Sequence, residues 1–122
     1  MNQIITLFEQ QAKKHATDIA VSYHGHRLTY DQINLKVNQF AGFLMEMGVG
    51  VEDKVGIAID RSPEMLIVML AILKAGAAYV PLDPEYPQKR VEYMLADSEA
   101  RFLVVSTKYK GLYHTKATEI LL

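Results

Sequence analysis

Hydrophobic positions in this chain change period along its length, and each change marks an element. The densest block is Met65 to Leu73, nine apolar residues in a row. Before it, Val55, Ile57 and Ile59 belong to a short β-branched run that reads as a strand buried in a sheet. Asp60-Arg61-Ser62-Pro63 stops that strand and predicts a helix start. Ser62 is expected to set its hydroxyl oxygen on an orphan amide of the first turn, and Pro63 suits the first helical position, where no amide hydrogen is needed. Glu64 and Lys74 match the macrodipole at the two ends, and Gly76 can take the left-handed closing conformation. A helix apolar all round is buried between layers. Ala78-Tyr79-Val80 predicts the next strand, which Pro81, Pro84 and Pro87 end and rigidify.

The flanking segments have ordinary amphipathic spacing. Ile4, Ile5, Leu7, Phe8, Gln11, Ala12 and His15 predict a first helix, with Glu9 and Lys13 four apart on its wet face. Ile19 to Tyr23 reads as a strand, His24-Gly25-His26 as a turn and Arg27 to Thr29 as the return, which is a hairpin. Thr29 then caps a long helix through Tyr30, Ile33, Val37, Phe40, Ala41, Leu44 and Met47, closed by Gly48. Residues 48–53 read as a loop into the central strand. After Pro87, Gln88 to Asp97 predicts a helix with Val91, Met94 and Leu95 inward, and Arg101 to Val105 a third strand. Thr107 to Tyr113 reads as a short helix and Thr118 to Leu122 as a last strand. The fold class expected is α/β: a layered, parallel βαβαβ sheet with right-handed connections, preceded by a helix and a hairpin.

Composition narrows the classes without choosing among them. The 122 residues fit one domain, half of them hydrophobic and 22% charged, which is a globular composition. A net charge of -1 gives no bias toward nucleic acid or anionic membranes. Nine apolar residues fall far short of the roughly 18 needed to span a bilayer. Cysteine is absent, which excludes disulfides and thiolate metal sites, and the N-terminus lacks the pattern of a secretory signal. A cytoplasmic location is expected.

Two strings carry a resemblance to a known family. LTYDQI at Leu28 to Ile33 and LKAGAAYVPLDPEYP at Leu73 to Pro87 resemble the first two signature motifs of amino-acid adenylation domains from nonribosomal peptide synthetases. These belong to the adenylate-forming superfamily with acyl-CoA synthetases and luciferases, and the Pro-Leu-Asp-Pro ending points to the peptide-synthetase branch. The resemblance covers nearly the whole chain, whereas a complete domain of that family is several times longer. Residues 1–122 are therefore expected to be the N-terminal portion of such a domain. The resemblance implies that the complete domain joins an amino acid to MgATP, releases pyrophosphate, and passes the aminoacyl group to the phosphopantetheine thiol of a carrier protein. The family's phosphate loop, amino-acid pocket, ribose-binding aspartate and mobile lysine are expected after Leu122. No catalytic, cofactor-binding or metal residue is assigned here, and these residues alone are expected to be inactive and to bind no MgATP tightly. Two other readings stay open: an acyl- or aryl-acid-activating ligase of the superfamily, and a non-catalytic interaction module built on this lobe.

Residue types that can do chemistry each have a structural reading beside the functional one. Ligands of open parallel sheets sit beyond the carboxyl ends of the strands, which places Asp60, Arg61, Ser62 and Asp83 at a candidate phosphate, ribose or metal site. As structure, Ser62 caps a helix, Asp60 and Asp83 satisfy loop amides, and Arg61 is solvated. Gly48-Val49-Gly50 precedes a strand and lacks the dinucleotide spacing. Ser106 to Gly111 follows a strand but offers one glycine where a phosphate cradle needs several inward amides. His24 and His26 flank a turn with no third ligand near in sequence. Ser22, Ser62, Ser98 and Ser106 lack a nucleophile elbow, and His15 and His114 fall on ordinary segments. Lys74 reads as a helix-end cation and Tyr79 as a core aromatic.

Overall fold

A computed structural model describes residues 3–122. Helix α1 (Gln3–Lys14) leads into a hairpin of β1 (Ile19–Tyr23) and β2 (His26–Thr29). Its turn is only His24 and Gly25, both at positive φ (49° and 81°), so the return strand begins at His26, one residue earlier than the sequence suggests. Thr29 then caps α2 (Tyr30–Glu46). Its hydroxyl accepts from the Gln32 amide (3.1 Å) while the Gln32 side chain accepts from the Thr29 amide (2.9 Å), a reciprocal capping box.

A second, larger sheet follows: β3 (Lys54–Ala58), β4 (Ala78–Pro81), β5 (Phe102–Val105) and β6 (Thr118–Leu121), in the order β4-β3-β5-β6 and parallel throughout. Helices α3 (Pro63–Lys74) and α4 (Gln88–Ser98) make the first two crossovers. The third crossover, from β5 to β6, has no α-helix. The short helix expected over Thr107 to Tyr113 is a single 3₁₀ turn, Thr107–Tyr109.

Strand periodicity assigns the two faces. Val55, Ile57, Phe102, Val104 and Ile120 point into one core with the buried side chains of α1, α2 and α3. Ala58, Leu103 and Val105 point into a second core with Leu82, Val91, Leu95, Tyr109 and Tyr113. Helix α3 is thus enclosed, with the sheet on one side and α2 on the other, which explains its unbroken apolar run. Its first turns are less covered: Met65, Leu66 and Met69 remain partly exposed. Where α4 crosses the sheet, β3 has Gly56. A Cβ there would meet Leu95 Cδ2 at 2.9 Å and Leu82 and Leu103 Cδ1 at 3.1 Å, so any side chain would force these leucine ends to shift.

Candidate functional site

The carboxyl ends of the strands open onto a groove of about 680 Å³ between α3 and the segment after β4. Met65, Met69 and Met94 form its apolar wall, while Asp60, Arg61, Asp83 and Glu85 form its rim. The sheet places these residues together because β3 and β4 end side by side, with Ile57 opposite Pro81.

Two of the four rim side chains, Asp60 and Asp83, have partners within the chain. Asp60 Oδ1 accepts from the Tyr109 hydroxyl, and Lys108 Nζ lies 3.7 Å from Asp60 Oδ2. The expectation that Asp60 satisfies loop amides is corrected by this: its carboxylate ties the end of β3 to the turn after β5. That hydrogen bond to the carboxylate, then burial, hold the Tyr109 hydroxyl above the usual tyrosine range. The Asp60 charge similarly raises the Lys108 ammonium. Ser62 also departs from expectation. Although it stands at the N-cap of α3 with extended backbone (φ −169°), its hydroxyl caps nothing and donates to the Asp60 carbonyl (3.1 Å). Asp83 does take a loop amide, that of Glu85 (2.9 Å). Arg61 is exposed.

Such a rim does not suit a nucleotide triphosphate. Three carboxylates face one guanidinium and the Lys108 ammonium, which is engaged by Asp60, and polyphosphate needs free cations or several free backbone amides. Three amides of the Ser106 to Gly111 turn are taken: Tyr109 N–H donates to Ser106 O (3.0 Å), Lys110 N–H to Thr107 O (3.2 Å), and Gly111 N–H to both Glu119 carboxylate oxygens (3.1 Å each). Nor does any group of three His, Asp or Glu side chains suit a metal ion among the described residues. The residues present do not fit MgATP.

The other candidates are dispersed. His24 and His26 are exposed at the hairpin turn, His24 edge-on to Tyr23 with centroids 4.2 Å apart. His15 Nδ1 lies 2.9 Å from Asp18 Oδ2. The His114 amide donates to Glu92 (2.6 Å), which with the Gln88 side chain holds the Glu92 carboxyl below its ordinary range. Ser22 is exposed, and Ser98 Oγ donates to Leu95 O (3.1 Å). Ser106 Oγ and the Tyr113 hydroxyl are buried with no hydrogen-bond partner among the described residues. Tyr79 is partly buried against the larger core. Lys74 does more than neutralise a helix end: its ammonium reaches Glu9 of α1 and Asn38 of α2, joining three helices.

One anchor has no sequence signal of its own. Asp53 is buried at the entry to β3, where its carboxylate accepts from the Gly50 amide (2.8 Å) and from Arg101 Nη1 (2.7 Å). Its partner lies 48 residues away.

Comparison with known proteins gives this scaffold its context. The model of the AMP-binding enzyme family matches residues 8–121. Tyrocidine synthase 3 of Brevibacillus parabrevis is 51% identical over 105 residues, which is 86% of this chain and 2% of that protein. Gramicidin S synthase 1 of Brevibacillus brevis is 43% identical over 108 residues, 88% of this chain and 10% of that protein. Among solved structures, the nonribosomal peptide synthetase FmoA3, bound to α-methyl-L-serine-AMP, superposes with a TM-score of 0.90 at 28% identity, covering 97% of this chain and 14% of that one. The N-terminal subdomain of Klebsiella oxytoca NpsA shares the fold with a TM-score of 0.91 at 24% identity, covering 97% of this chain and 30% of that one. The chain thus spans a small part of each relative, and it is similar to the N-terminal part of a peptide-synthetase adenylation domain. With a match running from Phe8 to Leu121 over a fold shared with such domains, the chain belongs to the AMP-binding enzyme family.

Proposed function

We propose that these residues are the strand-and-helix wall at the start of an amino-acid adenylation domain, a domain that uses MgATP to make an aminoacyl adenylate. The complete domain would then load the amino acid onto a carrier-protein phosphopantetheine thiol in nonribosomal peptide synthesis. The observation that carries this reading is the family match over residues 8–121 together with 43% to 51% identity to named peptide synthases. An amino acid is favoured over an aryl acid because relatives 43% to 51% identical are tyrocidine and gramicidin S synthases, whereas NpsA, seen with 3-hydroxybenzoyl-AMSN, shares the fold at 24% identity.

On this reading the wall contributes shape and rigidity, and the groups that contact ATP, magnesium and the amino acid belong to the rest of the domain. The acidic rim at Asp60, Asp83 and Glu85, and the internally bonded turn after β5, support that division. A cytoplasmic setting agrees with a cysteine-free chain. Among the described residues no helix is long and apolar enough to cross a membrane.

Amino-acid-dependent ATP–pyrophosphate exchange tests the proposal. The 122-residue chain alone is expected to give none, while a complete adenylation domain carrying these residues in the matching place exchanges with amino acids. Turnover by the chain alone at the level of a complete domain, or a complete domain that exchanges only with aryl acids, refutes it.

A further inference from the structure

The three crossovers of the parallel sheet are attached to the body in different ways. The first two are the helices α3 and α4, whose backbone groups bond one another and whose apolar sides sink into the cores. The third runs from β5 to β6 without an α-helix and bonds its backbone only locally: Tyr109 N–H donates to Ser106 O (3.0 Å), Lys110 N–H to Thr107 O (3.2 Å) and Leu112 N–H to Tyr109 O (3.1 Å). Among the described residues, no backbone-to-backbone hydrogen bond joins residues 107–117 to another element.

Carboxylates from three other places fasten this segment instead. Asp60, just past β3, takes the Tyr109 hydroxyl, Glu92 of α4 takes the His114 amide (2.6 Å), and Glu119 of β6 takes the Gly111 amide (3.1 Å to each oxygen). Beneath these fastenings two contributions oppose each other. The rings of Tyr109 and Tyr113 are 9% and 6% exposed and pack in the second core with Val105, which favours the closed arrangement. The Tyr113 hydroxyl and Ser106 Oγ are enclosed by the described residues with no partner among them, and a hydroxyl left unpaired away from water disfavours it. Lifting the segment returns both hydroxyls to water and breaks no bond of the sheet or of α4.

We infer that residues 107–117 form a strap that opens off the second core as one unit, hinged at Ser106 and Ala117, while the sheet and α4 stay folded. Opening also parts the Tyr109 hydroxyl from Asp60. A rim carboxylate of the groove at the strand carboxyl ends is thus held or freed by a segment none of whose residues lines that groove.

Thiol labelling tests this, since the chain has no cysteine of its own. Val104 and Val105 are neighbours on β5, both 0% exposed, with Val104 in the core of α1, α2 and α3 and Val105 in the core of Tyr109 and Tyr113. Val104→Cys and Val105→Cys are each labelled with dithiobis(nitrobenzoate) across low urea, corrected for each variant's own unfolding equilibrium, while hydrogen exchange follows the Val91 and Leu95 amides of α4. Position 105 is expected to label at least about ten-fold faster than position 104, with a much weaker urea dependence, while the α4 amides stay protected. Adding Tyr113→Phe to Val105→Cys removes the unpaired hydroxyl and should slow labelling about ten-fold, whereas adding Glu119→Ala should quicken it by a similar factor. Ser106→Ala replaces Tyr113→Phe if that variant does not fold. Equal labelling at the two positions, a urea slope at 105 as steep as at 104, or α4 amides that exchange as readily as position 105 labels overturns the inference. Unchanged or faster labelling on removal of the unpaired hydroxyl does so as well.

Discussion

The Tyr109 hydroxyl donates to the Asp60 carboxylate across 49 residues of sequence, fastening the turn after β5 to the end of β3. Tyr109 is 9% exposed, whereas the Asp60 side chain is 56% exposed, so the bond joins a buried ring to a carboxylate that water reaches. Tyr109→Phe is expected to lower unfolding free energy by about 1 kcal/mol, the usual net worth of one such bond, as read by urea denaturation. No change would mean that the bond adds nothing beyond the packing of the ring.

The same contact sets a pH dependence. Folding raises the proton affinity of both Tyr109 and Lys108, with Asp60 the leading cause in each case. A folded-state pKa above the unfolded value gives stability that is complete below the unfolded pKa and is lost as pH rises through the folded one. Stability should therefore fall above about pH 10, where unfolded tyrosine and lysine begin to titrate. Asp60→Asn should flatten that fall in denaturation midpoints measured from pH 8 to 11. A slope unchanged by Asp60→Asn would contradict the assignment.

A side chain at Gly56 should cost stability. A methyl group there would press on Leu95, Leu82 and Leu103, all within 3.1 Å of its position, and overpacking of this kind costs about 1 to 3 kcal/mol. Leu95→Ala would recover part of the loss in a double-mutant cycle. Simple additivity of the two substitutions would sink the steric explanation.

Asp53 and Arg101 should be unequal partners. Asp53→Ala removes a side chain 9% exposed and leaves the part-buried Gly50 amide without its acceptor, while the exposed Arg101 guanidinium passes to water, with an expected cost of about 1 to 3 kcal/mol. Arg101→Ala leaves Asp53 its bond to Gly50, and the Arg101 side chain is 64% exposed, so its cost should be smaller. Denaturation of the two variants in parallel checks the order.

Two helix starts offer a matched comparison. Thr29→Ala removes a working capping box, with an expected loss of about 0.5 to 2 kcal/mol. Ser62→Ala removes a hydroxyl that caps nothing and should cost clearly less. Equal losses in thermal or urea unfolding would show that Ser62 serves α3 in solution.

These pairs also show what local pattern can and cannot encode. Gly25 at the turn, Thr29 before an amphipathic run and Pro63 after a buried strand are signals read within a few residues, and the structure has a turn, a cap and a helix start at those places. The parallel sheet was legible because Val55 to Ile59 and Phe102 to Val105 are too apolar for any but a doubly covered strand. Ser62 was misread because its hydroxyl has two local partners of similar reach, the helix amides and the Asp60 carbonyl, and composition does not rank them. Asp53 with Arg101 and Asp60 with Tyr109 were invisible for a different reason. Each pair is joined only when strands far apart in sequence line up, and no periodicity marks that.

The clasp made by Lys74 has a bearing on motion. Helix α1 sinks Ile5 and Ala12 into the body and is joined to α3 through Glu9, a contact between groups that are each about a third exposed. Salt weakens such a contact far more than it weakens buried apolar packing. Amide exchange along α1 should therefore quicken as ionic strength rises while β3 and β5 stay protected, so that the first helix detaches as a small unit of its own before the sheet yields.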